Sequence, residues 1–307
     1  MMVSNKSSFM RLLVWQWKSV GIFFVLSGLV YLNWRYTMVP HIKLPTLPVS
    51  VIGAAIGIFV SFRTNSCYDR WWEGRKLWGR MINSSRHFCT QVLTYVDGGM
   101  DPKGPNELQR TIVRRHIAYV HTLRCLLRKQ SPVQDEHVRA FLSPKELEAV
   151  AIESNATHAL LHLQQRDLSK ATDDQRLDGL RLQSLDRTIA AFLDIQGGCE
   201  RIKKTPFPRG YEFIAKRLIM GFAILMPFAL LDDLGWLAIP ITVLICLGFE
   251  LISEAGRVLE DPFTMFWNGL PLSAISRGIE RNLRQRLGED ASDLPPALTP
   301  DEKGILM

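Results

Sequence analysis

Ala54, Ile58 and Phe62 recur every fourth residue and fall on one helix face if the apolar run 49–62 is helical. Val49, Gly53, Gly57 and Ser61 recur at the same interval on an adjacent face, a small-residue stripe that lets helix backbones approach closely. The first stripe widens from a methyl group to a phenyl ring. Repeated around a shared axis, such side chains form stacked apolar rings that gate a water path by dewetting. Turned to lipid or to a core they do no chemistry, and periodicity alone favours that plainer reading.

Charged positions beside apolar runs are the next candidates. Asp232 and Asp233 separate two of these runs and read as a solvated turn, or, repeated around an axis, as a ring that enriches cations at an outer mouth. Glu250 and Glu254 sit one helical turn apart and are expected to pair with arginines such as Arg257. His158 and His162 have the spacing of a metal pair, but no HExxH glutamate and no third ligand accompanies them. Nucleophile elbows, phosphate loops and cysteine–histidine signatures are missing from the sequence, so it offers no residues for catalysis. Neither an enzyme, a cofactor nor a metal is expected.

Four apolar runs must position these residues: 20–34, 49–62, 218–231 and 234–249. Each is shorter than the ~20 residues that cross a hydrocarbon core outright. Trp15, Trp17, Trp34 and Tyr36 bracket the first run like an interfacial belt. Lys18, Arg63, Lys216 and Arg217 mark the edges, and long basic side chains can snorkel to extend a span. Lys6, Arg11 and Lys18 precede the first run without an acid, and basic residues also follow the second and precede the third. The positive-inside rule then places both termini and the middle region in the cytoplasm, although Arg35 and Lys43 weaken the asymmetry.

A formal charge of +7 is explained by anchoring at anionic lipid headgroups, because the basic residues flank apolar runs and form no stripe of their own. A nucleic-acid partner is not expected. Five cysteines, with no CxxC pair, suit a reducing compartment.

The middle region reads as helix. Residues 106–129 keep apolar side chains at helical spacing, and Ser143-Pro144-Lys145-Glu146 has the form of a capping box. Residues 182–202 form a further helix, expected to break near Gly197-Gly198, while 97–105 and 165–176 read as connectors. After about residue 287 the tail is polar and proline-bearing, which suggests loose order. The resulting fold class is all-α: membrane helices at 1–62 and 216–252, a helical cytosolic region at 63–215 continued at 253–285, and a tail at 286–307.

The stretch FRTNSCYDRWWEGRKLWGRMINSSRHF, residues 62–88, resembles the signature of the prokaryotic bestrophin family, whose pattern is close to FRxNxxYxRWWExRxLWG. GGCERIKKTPFPRGY (197–211), LMPFALLDDLGW (225–236), EDPF (260–263) and NGLPL (268–272) continue the match in order. The resemblance implies a homopentameric ion channel with four membrane helices per subunit and one axial pore, whose neck is lined by the second helix. Its neck positions fall on Ala54, Ile58 and Phe62, the stripe found from spacing. Bulkier residues are usual at the first, so Ala54 implies a wider outer ring. A second constriction, near the cytosolic exit, falls on Leu180.

Animal members of the family carry a calcium-binding acidic run soon after the EDPF-like motif. Here TMFWNGLPL follows Phe263 without a carboxylate, so calcium activation is not expected. Animal relatives conduct anions and bacterial-type relatives monovalent cations. The sequence sides with the bacterial type, so the expectation is a passive monovalent-ion channel of the bacterial inner membrane that favours Na+ or K+. Its partners would be the permeant ions, membrane lipids and further copies of itself. The alternatives are an anion channel of the same fold, or a membrane-anchored scaffold or sensor whose helical cytosolic region binds a partner.

Overall fold

The computed structural model describes residues 15–36, 43–99, 101, 104–302 and 304–306. Lys6 and Arg11, two of the charges used for orientation, lie outside them. Ten helices account for most of the described residues, which contain no strand beyond an isolated bridge between Asp101 and Gly104. They fall into two compact units. One takes in residues up to 71 together with 206–260, and the other 72–205 together with 261–306.

The first unit holds α1 (Trp17–Tyr36), the start of α2 (Thr46–Tyr95), α8 (Arg209–Leu234) and α9 (Ala238–Leu259). α1, α8 and α9 pack on one another, and with the start of α2 they bury Phe23, Val49, Ile56, Val60, Ile219, Phe222 and Met226. α8 runs through Pro227 and past the two aspartates, ending only at Gly235, whose φ of 57° suits a residue without Cβ. The long apolar stretches lie in α2 and along α8–α9.

In the second unit α3 (Glu107–Leu127) is the central element, with 15 of its 21 residues buried. Around it lie α4 (Glu136–Arg139), α6 (Ala156–Asp173), α7 (Gly179–Lys204) and α10 (Leu272–Arg286), while α5 (Pro144–Ile152) packs on α6. α3 starts where the Asn106 side chain accepts the Gln109 N–H and Gln109 reaches back to the Asn106 N–H. α5 starts with the expected Ser143–Glu146 box and Pro144 at its first position.

Three expectations fail here. The stretch 165–173 is not a connector, because it completes α6 and buries Leu168 and Ala171. α7 does not break at Gly197-Gly198. Gly198 is instead a packing site, where a Cβ would approach Leu77 to 2.9 Å. The tail is also held down: Arg281 and Arg284 donate to the carbonyls of Pro295 and Asp293, and Leu294 is buried. The units divide at 71/72, 205/206 and 260/261, whereas the hydropathy edges fall at 62/63, 215/216 and 252/253. The difference arises because α2, α8 and α9 continue beyond their apolar stretches into polar sequence.

Candidate functional site

The two stripes on the start of α2 meet different surroundings. Gly53 is buried beneath the Phe222 ring, where a Cβ would approach to 3.0 Å, and Gly57 faces the Phe249 ring at 3.4 Å. Phe222 and Phe249 meet edge to face with centroids 5.7 Å apart. The small stripe is thus a seat for two aromatic rings from α8 and α9. The adjacent stripe is consequently outside: Ala54 is exposed, Ile58 is 59% exposed and Phe62 is 69% exposed. Large apolar side chains so exposed need a further surface, be it lipid, a second copy or a water path, and Val51 and Ile52 on the same helix are exposed as well.

Arg63 follows Phe62 but points the other way. Its side chain is buried and donates to the carbonyl (3.0 Å) and hydroxyl (3.1 Å) of Ser253. The expectation that Arg63 snorkels outward is therefore incorrect, because α9 offers it acceptors inside. Two turns on, the Arg70 Nε donates to the Glu260 carbonyl at 2.8 Å. Thr64 meets the α9 backbone as well, its hydroxyl 3.0 Å from the Ile252 carbonyl and its atoms against Gly256.

Leu180 occupies the first turn of α7 in the second unit and is 79% exposed. Asp178 caps this turn by accepting from the Leu180 and Arg181 N–H groups. The preceding loop is held by a two-pronged pair in which Arg176 donates to both Asp97 oxygens at 2.7 Å. That pairing, helped by the Asn106 amide and opposed by desolvation, holds the Asp97 carboxyl below the usual carboxylate range.

Asp232 and Asp233 are both exposed, yet they are not equivalent. Asp232 meets Lys43 at 3.1 Å and accepts from the Trp34 indole at 3.0 Å. Glu254 pairs with Arg257 as expected, while Glu250 lines a small pocket with Lys216. His158 and His162 are exposed on α6, and the described residues contain no cluster suited to a metal. All five cysteines are free and buried.

The signature motifs meet one another in the second unit. Arg201 pairs with Glu73, Lys203 with Asp261 at 2.6 Å, and a Cβ at Gly74 would press on Pro262 at 3.1 Å. Their shared spacing is thus a structural joint. Asp261 is engaged by Lys203 and by the Phe263 N–H.

The family model described as bacterial/fungal bestrophin protein matches residues 2–285. The chain belongs to the bestrophin family. Among curated relatives of this bestrophin is a "Voltage-dependent anion channel-forming protein YneE" of Salmonella typhi, 34% identical over 278 residues, covering 91% of this chain and 87% of the relative. A protein of the same name from Escherichia coli K12 is 32% identical over 283 residues, covering 92% and 87%. Among solved structures, a bacterial bestrophin homolog from Klebsiella pneumoniae superposes with a TM-score of 0.81 at 28% identity, covering 89% of this chain and 98% of that one. A structure described as a membrane protein gives a TM-score of 0.82. The fold is that of a helical membrane protein, and the family is one of channels, not enzymes.

Proposed function

We propose that this bestrophin is one subunit of a passive channel for small monovalent ions, a homopentamer with a central pore in the bacterial inner membrane. The observation that carries the reading is the outward Ala54–Ile58–Phe62 face, fixed because Gly53 and Gly57 are spent on Phe222 and Phe249. Around a shared axis this face supplies stacked apolar rings, and Ala54 makes the outermost ring the widest. Leu180, capped into position by Asp178, supplies a second constriction near the cytosolic exit. The membrane segments are the apolar parts of α1, α2, α8 and α9, with both termini on the cytoplasmic side.

Apolar rings do not set the sign of the permeant ion. The preference for cations came from the resemblance to bacterial-type relatives, with Asp232 and Asp233 in agreement, and Lys43 offsets one of those charges. Anion conduction, which the names of the relatives favour, is therefore the first reading. Cation conduction is the second, carried by the exposed Asp233. The loop after Phe263 supports a channel that opens without calcium. Reversal potentials of reconstituted protein under asymmetric NaCl test both channel activity and sign. A shift toward the chloride equilibrium potential supports the first reading, a shift toward that of sodium the second. Liposomes that show no flux would overturn the channel and return the scaffold reading.

A further inference from the structure

A cavity of about 490 Å³ opens in the second unit among the start of α3, the turn after α4, the start of α5 and α6. Its size lies in the range that takes a small organic ligand. Arg110, Arg114, Arg115, Lys145 and Arg166 line it, against only Glu107 and Glu146. Arg115 forms a fixed floor: it is buried, bonded to Glu146, and 2.7 Å from Asp167. Its charge is spent, and so are those two carboxylates. Arg110 is held by a neutral partner, the Pro105 carbonyl at 3.0 Å, and keeps its full charge. Arg114 and Lys145 are exposed and have no ion-pair partner among the described residues.

Two further features suit an anion with an organic part. Lys145 stands at the second position of the nine-residue α5; Pro144 has no N–H and the Glu146 N–H is taken by the Ser143 hydroxyl, so the helix start brings its positive end and the Lys145 N–H to the same space as the free cations. Ala140, Phe141 and Leu142 form an apolar wall beside them. A fixed ion-paired floor, a set of uncompensated cations, a helix start and an apolar wall make a receptor for a phosphate monoester.

The geometry points to a binding site for a phosphate monoester, with phosphate on Arg110, Arg114, Lys145 and the start of α5, and the organic group against the 140–142 wall. The site is separate from the pore residues and does not depend on the pore reading. Such an ester could be a soluble metabolite or the headgroup of phosphatidic acid.

The test titrates the full detergent-solubilised protein with adenosine monophosphate by calorimetry, and separately measures its binding to vesicles with and without phosphatidic acid. Saturable binding that weakens with salt is expected in one arm, and that arm identifies the source. Arg114→Glu with Lys145→Glu should weaken it by at least about tenfold, since each removes a charge-assisted bond. Lys170→Glu, further along α6 and outside the cavity, reverses one charge, as each of those substitutions does, and should leave it intact. Because a double variant can misfold, the wild type supplies a second readout: the bound ester should protect Lys145 from an amine-reactive label. No binding in either arm, binding unchanged in the double variant, or Lys145 labelled at the same rate with saturating ester would each overturn the site.

Discussion

Arg63 lies inward against Ser253, with one guanidinium nitrogen 3.0 Å from the carbonyl oxygen and 3.1 Å from the hydroxyl of that residue. This contact sits one position after Phe62, so it fixes the roll of α2 where the exposed stripe ends. The nearest carboxylate, Glu260, is 3.9 Å away, too far for a hydrogen bond. A buried charge with so few partners makes each remaining bond valuable.

Arg63→Lys keeps the charge but shortens the side chain and removes the planar guanidinium, so the donor no longer sits at the Nη1 position that reaches both Ser253 acceptors. Loss of stability on the order of 1.5–3 kcal/mol is expected, from the value of a hydrogen bond to a charged group. Thermal unfolding of the detergent-solubilised protein, followed by tryptophan fluorescence, measures it. An unchanged midpoint would show that the Ser253 contact holds nothing.

Glycine in a helix interior ordinarily costs about 1 kcal/mol relative to alanine, so replacing it usually stabilises. Gly53→Ala should do the reverse, because the new methyl group meets the Phe222 ring at 3.0 Å. Gly21→Ala on α1 is the matched control, since nothing lies within 4 Å of its would-be Cβ. The two melting shifts should have opposite signs. Equal shifts would mean that the small stripe is not a packing seat.

Much of this arrangement is legible from local signals. The Ser143–Glu146 box, the apolar runs and the four-residue stripes depend on neighbours in sequence, and each gives an element in the expected place. What failed depended on partners far along the chain. Gly197-Gly198 looks like a helix break until Leu77 is placed against it. Polar composition over 165–173 hides a helix because only Leu168 and Ala171 of that stretch are buried. Arg63 looks like an interfacial anchor until the Ser253 carbonyl is brought beside it. Of the proposed site, the stripe was readable, but its direction was not, since that is decided by Phe222 and Phe249.

Phe62→Ala removes the widest ring side chain of the outward stripe without touching the packed face of α2. In planar bilayers it should raise the current several-fold, and because Phe62 is 69% exposed it should leave the melting midpoint near that of the wild type. Leu180→Ala, at a position 79% exposed, should also spare stability while altering conductance or selectivity at the second constriction. Wild-type currents in both variants would sink the assignment of the two apertures.

His116 is buried among Phe88, Tyr119 and Phe192, its Nε2 atom 2.9 Å from the Ser85 hydroxyl, and burial pushes its pKa down to about 3. In the unfolded chain the same group titrates near 6.5. Between those values the unfolded state binds the proton and the folded state does not, so stability rises with pH there and is lost as pH falls below about 6.5. Each pH unit of that window costs at most about 1.4 kcal/mol for this residue. His121 has the same sign: burial lowers its pKa, and the bond to Glu280 only partly opposes this. The melting midpoint should therefore fall from neutral pH toward pH 5, and His116→Gln, which cannot take up a proton, should flatten the fall while His121 preserves part of it. A slope identical in His116→Gln would show that His116 is protonated at no cost to the fold.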